Sequence, residues 1–307
     1  MKTGSVASTV VLAVVVIACG GSTGTVSNVS AQQACTDFGS AVCGAVDACS
    51  PALVQLQYGG ISTCQMRAQT TCSTALGANG TGMTPDTMEA CAKALSGDSC
   101  ANVVSNNPPG ACNAVAGQLA NGMPCGDPSQ CQSQYCNTGT DGTCGACGTR
   151  AGATCVRDAD CNYGQLCVGT PKTCVAPGMS GASCDDNHPC NKTLACKGGA
   201  CAAPDEAGGT CVIGNANNVF GSCDSLKGLY CGLTKTCQAI AFASAGQPCG
   251  VKNGVLTACA ANGTCSAAGT CDAAVADGAS CTAASHCLPP AQCSGGVCKL
   301  PDPSTCH

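Results

Sequence analysis

Cysteine density is the feature that most restricts what this chain can fold into. The chain has 35 cysteines among 307 residues, a fraction typical of disulfide scaffolds. A reducing compartment would leave these thiols unpaired, so the count predicts an oxidising location. Metal loading is the alternative, but it favours paired C-x2-C clusters with nearby histidines, and the sequence has one such pair and three histidines. We therefore expect disulfides, with no metal and no other cofactor.

Large apolar side chains and basic side chains are both scarce. Leu, Ile, Val and Phe number 44, fewer than the roughly one fifth of a chain that a packed globular protein contains. Disulfides must therefore replace much of the hydrophobic core. The formal net charge is −5, and no run of Lys or Arg occurs. This composition excludes nucleic acid as a partner, because binding to phosphates needs a basic surface.

Residues 1–18 predict a signal peptide, in which Lys2 precedes an apolar stretch that is too short to span a bilayer. The stretch ends in Val16-Ile17-Ala18-Cys19-Gly20. This string resembles the lipobox of bacterial lipoprotein precursors, and the resemblance implies that Cys19 becomes the lipidated N-terminus. Its acyl chains would hold the protein on a membrane. The expected location is the bacterial cell envelope, facing an oxidising compartment that is either the periplasm or the cell surface.

The cysteine count supports this interpretation of Cys19. It is the only cysteine before residue 35, and an even number, 34, remains without it. The alternative is an ordinary signal peptide with a cysteine near its end by chance. Residues 19–34 are rich in small and polar side chains, a composition that predicts a flexible tether.

Residues 35–118 predict a disulfide-linked helical domain. Between Cys35 and Cys49, cysteines and apolar residues recur at steps of three and four, which indicates one helix face. A second helix is expected over 61–76, and a third begins at Thr84, an N-cap followed by proline. We expect a bundle of three or four short helices in which cysteine replaces larger core residues. The domain contains the cysteines Cys35, Cys43, Cys49, Cys64, Cys72, Cys91, Cys100 and Cys112.

Residues 119–307 predict six tandem cysteine-rich repeats, over 119–150, 151–178, 179–205, 206–243, 244–275 and 276–307. Each unit begins Gly-x-x-Cys and contains four cysteines. The expected fold class is small and disulfide-rich: a short-helix head followed by repeats of irregular loops and β-ribbons. The repeat cysteines are Cys125, Cys131, Cys136 and Cys144; Cys155, Cys161, Cys167 and Cys174; Cys184, Cys190, Cys196 and Cys201; Cys211, Cys223, Cys231 and Cys237; Cys249, Cys259, Cys265 and Cys271; and Cys281, Cys287, Cys293 and Cys298.

Cys147 and Cys306 lie outside this frame. They pair with each other, or one unit exchanges partners with a neighbour. Within a unit, four cysteines allow three connectivities. We favour first-to-third and second-to-fourth, because crossed pairing closes both short loops. Each unit is expected to have a small apolar core next to its third cysteine, supplied by Tyr135, Leu166, Leu194 and Tyr230 in four of the units.

The cysteine spacing from Cys125 to Cys174 resembles the N-terminal cysteine-rich domain of Dickkopf proteins. The match covers about 50 of the 307 residues. In that family the domain belongs to secreted antagonists of Wnt signalling. A lipobox implies a bacterium without that pathway, so the resemblance implies a similar scaffold and not a similar function. The overall layout is also similar to the cysteine-rich surface lipoproteins of some soil bacteria.

Candidate catalytic motifs are weak. Cys144-Gly-Ala-Cys147 has the spacing of thiol redox sites, but no βαβ pattern surrounds it. The acidic clusters at 158–162 and 185–187 lack the glycine and the distal glutamate of an EF-hand loop. No convincing Ser/His/Asp set occurs, so the sequence predicts a protein that is not an enzyme. The fourth and fifth units have enlarged first loops, residues 212–222 and 250–258, which indicate either recognition or neutral drift in length.

These observations predict a non-enzymatic, lipid-anchored envelope protein that displays a disulfide-stabilised rod of repeats for adhesion or partner binding. Its partners would be the membrane, through the lipid, and a surface protein or glycan. The alternative is a secreted protease inhibitor or ligand that uses one rigid loop.

Overall fold

The computed structural model describes residues 29–105, 107–138, 143–150, 154–156, 158–213, 220–282 and 286–306. The predicted signal peptide and Cys19 lie outside these residues, as does most of the predicted tether. The tether is shorter than predicted, because helix α1 begins at Ala31. Ser30 is the N-cap of that helix, and its side chain accepts a hydrogen bond from the backbone N–H of Gln33.

Five helices form the helical head, residues 31–112. They are α1 (Ala31–Cys49), α2 (Pro51–Tyr58), α3 (Ile61–Leu76), α4 (Pro85–Leu95) and α5 (Cys100–Val104). The three helices expected from the sequence are confirmed as α1, α3 and α4, while α2 and α5 were not anticipated. The third begins as expected: Thr84 and Thr87 form a capping box, with proline at the first position of the helix.

Four disulfides cross-link the helical head. Two of them join α1 to α3, one joins α1 to α5, and one joins α4 to the 3-10 turn Gly110–Cys112. They are Cys35–Cys72, Cys43–Cys64, Cys49–Cys100 and Cys91–Cys112. Helices α1 and α3 approach closely, since a Cβ placed on Gly39 would lie 2.8 Å from the carbonyl oxygen of Gln65. Cystine thus fills the space between helices that larger apolar side chains would occupy elsewhere.

The repeats are built on short antiparallel ribbons. In repeats two to six, the third and fourth cysteines lie directly opposite each other in the ribbon, and in the first repeat Cys136 lies opposite Cys147. The strands are β1 (Pro124–Cys125), β2 (Cys136–Asn137), β3 (Gly145–Cys147), β4 (Leu166–Val168), β5 (Thr173–Val175), β6 (Ala195–Lys197), β7 (Ala200–Ala202), β8 (Leu229–Cys231), β9 (Cys237–Ala239), β10 (Ala241–Ala243), β11 (Gly250–Lys252), β12 (Val255–Cys259), β13 (Thr264–Cys265), β14 (Cys271–Asp272), β15 (Gln292–Ser294) and β16 (Val297–Lys299).

Two three-stranded sheets extend this plan. In the first repeat the strand order is β1-β3-β2, and both pairings are antiparallel. Across the fourth and fifth repeats the order is β10-β12-β11, and β10 of the fourth repeat is parallel to the central strand. The enlarged loop 250–258 is therefore largely a β-hairpin.

The ribbon cysteines are bonded to the segment that precedes the ribbon. In repeats two to six the first cysteine pairs with the third and the second with the fourth, which is the crossed pairing that we favoured. These disulfides are Cys155–Cys167, Cys161–Cys174, Cys184–Cys196, Cys190–Cys201, Cys211–Cys231, Cys223–Cys237, Cys249–Cys265, Cys259–Cys271, Cys281–Cys293 and Cys287–Cys298.

The assignment of cysteines in the first repeat was wrong. Cys125 pairs with Cys136, but Cys131 pairs with Cys147 and not with Cys144. The ribbon register explains the exchange, because Cys147 of β3 lies opposite Cys136 of β2. Seven residues separate β2 from β3 in the sequence, so the cysteine opposite Cys136 comes later in the chain than spacing alone predicts.

The initial glycine has a common backbone role in five of the repeats, and that of the second repeat lies outside the described residues. In five repeats it adopts a positive φ of 77° to 87°, which glycine reaches without the steric cost of a Cβ. Its N–H donates to the carbonyl of the fourth cysteine, and this bond locks the start of the unit onto its own ribbon. The pairs are Gly122 with Cys147, Gly181 with Cys201, Gly208 with Cys237, Gly246 with Cys271 and Gly278 with Cys298.

The repeats do not extend as the predicted rod. Cys144, near the end of the first repeat, forms a disulfide with Cys306 at the end of the sixth. We call this bond the closing disulfide, and it converts the six repeats into a closed ring. Neighbouring repeats also contact each other around the ring; for example, the side chain of Asn262 in the fifth donates to the carbonyl of Cys287 in the sixth.

The ring packs against the helical head at several points. The hydroxyl of Ser50 donates to the carbonyl of Leu226 at 2.8 Å in the fourth repeat. In the fifth repeat, the backbone N–H of Asn262 donates to the carbonyl of Leu56 in α2. In the sixth, Asp277 pairs with Arg67 of α3. Rod-like extension is therefore prevented both by the closing disulfide and by docking on the helices.

Candidate binding groove

A groove of about 1380 Å³ lies between α2 and the second to fifth repeats. Helix α2 forms one wall, and the ribbons and loops of the repeats form the rest. None of its large apolar side chains is fully buried, so they present surface to the groove. These side chains are Leu53, Leu56, Val104, Val168, Leu194, Val212, Ile213, Phe220, Leu226, Ile240, Phe242 and Leu256.

The groove contains most of the phenylalanine and isoleucine residues of a chain that is poor in both. The whole sequence contains three phenylalanines and four isoleucines. After the predicted signal peptide six of these remain, and four line the groove: Phe220, Phe242, Ile213 and Ile240. The cores of the repeats are instead built around cystine. Large apolar side chains on an open surface mark interaction sites in soluble proteins.

The two enlarged loops both contribute to the groove. Val212, Ile213 and Phe220 of the loop 212–222 line it, although residues 214–219 of that loop lie outside the described residues. Leu256 of the loop 250–258 lines it as well. The hydroxyl of Tyr230 fixes this second loop, because it accepts from the backbone N–H of Leu256 at 2.8 Å and donates to a neighbouring carbonyl.

Charged side chains of both signs border the groove: Lys172, Lys192, Asp185 and Asp186. The carboxylate of Asp185 accepts from the backbone N–H groups of Asn187 and His188 and lies 2.8 Å from the His188 ring. These hydrogen bonds, chiefly that from Asn187, lower the pKa of Asp185. The Asp185 carboxylate is thus occupied by hydrogen bonds within its own turn. The surface of the groove is mainly apolar.

Asp205 supports the groove from the junction of the third and fourth repeats. Its carboxylate accepts from the ammonium of Lys197 at 2.6 Å and from the hydroxyl of Ser222. Burial opposes ionisation of Asp205, but these two hydrogen bonds outweigh it, and the pKa of the carboxyl is lowered. The Ser222 hydroxyl also accepts from the N–H of Val212, so this network fixes the start of the fourth-repeat loop.

The C-x-x-C motif is divided between two different disulfides. Cys147 is bonded to Cys131, and Cys144 to Cys306. Because Gly145–Cys147 is a strand, Cα atoms three residues apart are separated by about 10 Å, beyond the reach of a disulfide. In this arrangement Cys144 cannot pair with Cys147, so the motif does not have the geometry of a C-x-x-C redox site.

The other candidate ligand groups serve the fold. Several trios of cysteine sulfurs lie within 4.8 Å of one another, but each sulfur belongs to a disulfide and is not a thiolate ligand. In the acidic cluster, the carboxylate of Asp158 accepts from the N–H of Cys167, and that of Asp160 accepts from the N–H of Val156. Both carboxylates thereby organise the loop of the second repeat.

Two arginines at interfaces were not anticipated from the sequence. Arg67 is buried between α3 and the sixth repeat. The guanidinium of Arg150 lies 5.4 Å from the ring centres of both Tyr135 and Tyr163, where the first and second repeats meet. The only signal in the sequence is rarity, since the chain has three arginines. Of the expected core residues, Tyr135, Leu166 and Tyr230 are buried, whereas Leu194 faces the groove.

The fold defines a class: a cysteine-rich, disulfide-bonded scaffold of the kind found in secreted ligand-like or toxin-like proteins. Its 17 disulfides indicate an oxidising extracellular or secreted environment. The chain is 54% identical over 39 residues to the Turripeptide OL55-like protein of Lophiotoma albina. That match covers 10% of this chain and 38% of the relative, and is therefore well short of the relative's full length.

No protein-family model matches the chain, and no solved structure matches it. The resemblance to Dickkopf domains thus stays an interpretation of cysteine spacing. Among the described residues, no helix combines the length and hydropathy needed to cross a membrane.

Proposed function

We propose that the chain is a non-enzymatic, lipid-anchored protein of the bacterial cell envelope. In this proposal, Cys19 carries the lipid, and the closed ring of repeats presents the groove to a protein partner. The observation that carries it is the concentration of phenylalanine and isoleucine in the groove of a chain otherwise poor in them. The envelope is oxidising, as the disulfides require.

The pairing of the cysteines supports lipidation of Cys19. All 34 cysteines from Cys35 to Cys306 pair among themselves. Cys19 therefore has no cysteine left within the chain to bond with. The segment from Cys19 to the N-cap Ser30 is long enough to hold the helical head clear of a bilayer surface.

Replacement of Cys19 by serine tests the anchor. The wild-type protein should incorporate a labelled fatty acid and partition into detergent, whereas Cys19→Ser should do neither. Ser22→Ala, three residues further along the predicted tether, is the matched control and should behave as wild type. An unlabelled wild-type protein, or a Cys19→Ser variant that stays in the detergent phase, would contradict lipidation at this residue.

The apolar lining favours a protein partner over a glycan. Apolar side chains of a protein would gain about 25 cal/mol for each Å² of surface that they remove from water in the groove. A glycan offers mostly hydroxyl groups, which would need an array of polar partners. The mixed charges at the border of the groove give no net preference for an acidic or a basic partner.

Substitutions in the groove test this assignment. Phe220→Ser with Phe242→Ser should abolish retention of the envelope partner on the immobilised protein. Leu233→Ser is the control, because Leu233 is 82% exposed and does not line the groove. Equal retention of the partner by the wild type, the double variant and Leu233→Ser would place recognition elsewhere. Binding to a glycan array that is unchanged in the double variant would favour the glycan alternative.

A secreted ligand or protease inhibitor is the second candidate. The similarity to the Turripeptide OL55-like protein favours it, and the Dickkopf-like cysteine spacing is compatible with it. This candidate predicts release of the wild-type protein into the medium without acylation. The Cys19→Ser comparison therefore distinguishes the two candidates.

A further inference from the structure

We infer that the closing disulfide, Cys144–Cys306, is a redox-modification site. A dithiol reductant opens it before the other disulfides and releases residues 301–306 from the first repeat. The protein stays folded in both forms. This inference does not depend on the lipid anchor or on the partner of the groove.

The closing disulfide differs from the others in its place in the fold. It spans 162 residues and joins the first repeat to the end of the sixth. Every other disulfide lies within the helical head or within one repeat, and the longest of these spans 51 residues. Reduction of the closing disulfide therefore changes how repeats are connected, whereas reduction of any other affects a single unit.

Accessibility favours attack at this bond. Cys144 is exposed and Cys306 is half-buried, whereas the other cysteines of the first repeat, Cys125, Cys131, Cys136 and Cys147, are buried. Thiol–disulfide exchange needs a thiolate to reach a sulfur atom, so buried cystines react slowly. Among the cysteines of the first repeat, Cys144 is therefore the most accessible to a reductant.

Accessibility alone does not single out this bond, because Cys100, Cys196 and Cys265 are also exposed. The difference lies in what holds the two sulfurs together after reduction. Cys49 ends α1 and Cys100 begins α5, and these two helices contact each other, so the reduced thiols stay close. Cys196 and Cys265 lie in ribbons that a second disulfide, Cys190–Cys201 or Cys259–Cys271, still holds in place. Cys306 follows only a 3-10 turn, Pro303–Thr305, and the preceding Pro301 accepts a long hydrogen bond of 3.4 Å from Thr74. The thiol of Cys306 can therefore move away from Cys144.

The reaction balances with a dithiol as the reductant. One thiolate of the dithiol attacks a sulfur of the closing disulfide, forms a mixed disulfide and releases the other cysteine as a thiolate. The second thiol of the dithiol then displaces the bound cysteine. Two electrons reduce one cystine to two cysteines, and the dithiol becomes a cyclic disulfide. Strand β3 keeps Cys144 apart from Cys147, so the original bond is the one that re-forms on oxidation.

The structural consequence is local. Pro303 and Cys306 lie over Gly126, where an added Cβ would fall 2.6 Å from Cα of Pro303 and 2.9 Å from Sγ of Cys306. Release of residues 301–306 uncovers this turn of the first repeat. Arg67 still holds the sixth repeat on α3 through Asp277, so the ring opens at one junction without unfolding.

Graded reduction of the intact, oxidised protein tests the inference. Dithiothreitol at increasing concentration is followed by alkylation and peptide mass spectrometry. We expect equal alkylation of Cys144 and Cys306 at a reductant concentration about tenfold below that needed for Cys49 and Cys100. Alkylation of Cys49 and Cys100, or of any repeat pair, at the same or a lower concentration would overturn the inference.

Hydrogen exchange tests the released segment. In the selectively reduced protein, amide exchange over 125–130 and 301–306 should rise, while exchange in the helical head stays unchanged. Cys144→Ser with Cys306→Ser should reproduce this pattern without reductant, and Cys49→Ser with Cys100→Ser should not. Unchanged exchange over 301–306 in the reduced wild-type protein would show that the bond does not control this segment.

Discussion

Arg67 is the residue whose replacement should most weaken the docking of the ring on the helical head. Its guanidinium donates two hydrogen bonds to Asp277, at 2.9 and 3.0 Å, and two more to the carbonyls of Leu288 and Pro289. The Arg67 side chain is 7% exposed, and that of Asp277 is 39% exposed. One buried cation therefore donates four hydrogen bonds across the interface between α3 and the sixth repeat.

The magnitude of the effect follows from these exposures. Breaking a fully buried ion pair by removal of one partner costs about 3–5 kcal/mol. Asp277 is partly exposed, so water can hydrate its carboxylate when Arg67 is removed. The loss of its ion-pair partner therefore contributes little to the cost of the substitution. The two backbone carbonyls each lose a charged donor, at about 1–2 kcal/mol apiece. We expect Arg67→Met, which keeps the apolar stem, to lower the free energy of docking by about 3 kcal/mol.

Two measurements check this value. Urea unfolding followed by far-UV circular dichroism reports on the helical head, and hydrogen exchange over residues 275–299 reports on the sixth repeat. Lys93→Met is the control, because the Lys93–Glu89 pair lies at helical spacing with Lys93 74% exposed. Its loss should be about 0.5 kcal/mol or less. If Arg67→Met and Lys93→Met had equal stability and equal exchange in the sixth repeat, the reasoning would be refuted.

Further predictions concern the backbone, the pH dependence and the groove. Gly246→Ala should destabilise the fifth repeat by about 1 kcal/mol in thermal unfolding, because Gly246 has a φ of +79°, whereas Gly97→Ala, in open space without a positive φ, should be near neutral. The lowered pKa of Asp205 means that its contribution to stability is present above the unfolded pKa, about 3.9, and is lost as pH falls through the folded value. Asp205→Asn should remove this part of the acid dependence measured by urea unfolding, and an unchanged slope would contradict it. Tyr230→Phe should cost about 1–2 kcal/mol and increase amide exchange at Leu256; protection equal to wild type would show that the hydroxyl does not hold this loop.

The sequence was sufficient for the parts of the fold that local rules govern. Helical spacing located α1 and α3, and the N-cap at Thr84 located α4, because these signals act over a few residues. The crossed pairing also followed from local reasoning, since each pair closes a short loop. Helix α2 was missed because it consists of eight residues with weak apolar periodicity.

Contacts between distant segments could not be obtained in the same way. Spacing favoured Cys144 as the fourth cysteine of the first repeat, since it gives the shorter hairpin, and only the ribbon register selects Cys147. One clue to ring closure was present: Asp302-Pro303-Ser304 before Cys306 repeats Asp127-Pro128-Ser129 before Cys131. Both runs form a 3-10 turn capped by the aspartate.

The candidate groove was predictable in part. The apolar residues of both enlarged loops were visible in the sequence, and the structure brings Val212, Ile213, Phe220 and Leu256 to one surface. The contribution of α2 was not visible, because it depends on docking between segments more than a hundred residues apart. Arg67 shows the same limit, since a lone arginine on a helix does not reveal a distant carboxylate.

The closing disulfide has a consequence for how the protein survives proteolysis. A linear array of repeats would fall into two pieces after one cut in any linker between units, such as residues 202–210. In the closed ring the two ends created by such a cut remain covalently connected through Cys144 and Cys306. A protease must therefore cut two linkers of the ring before any repeat is separated from the others.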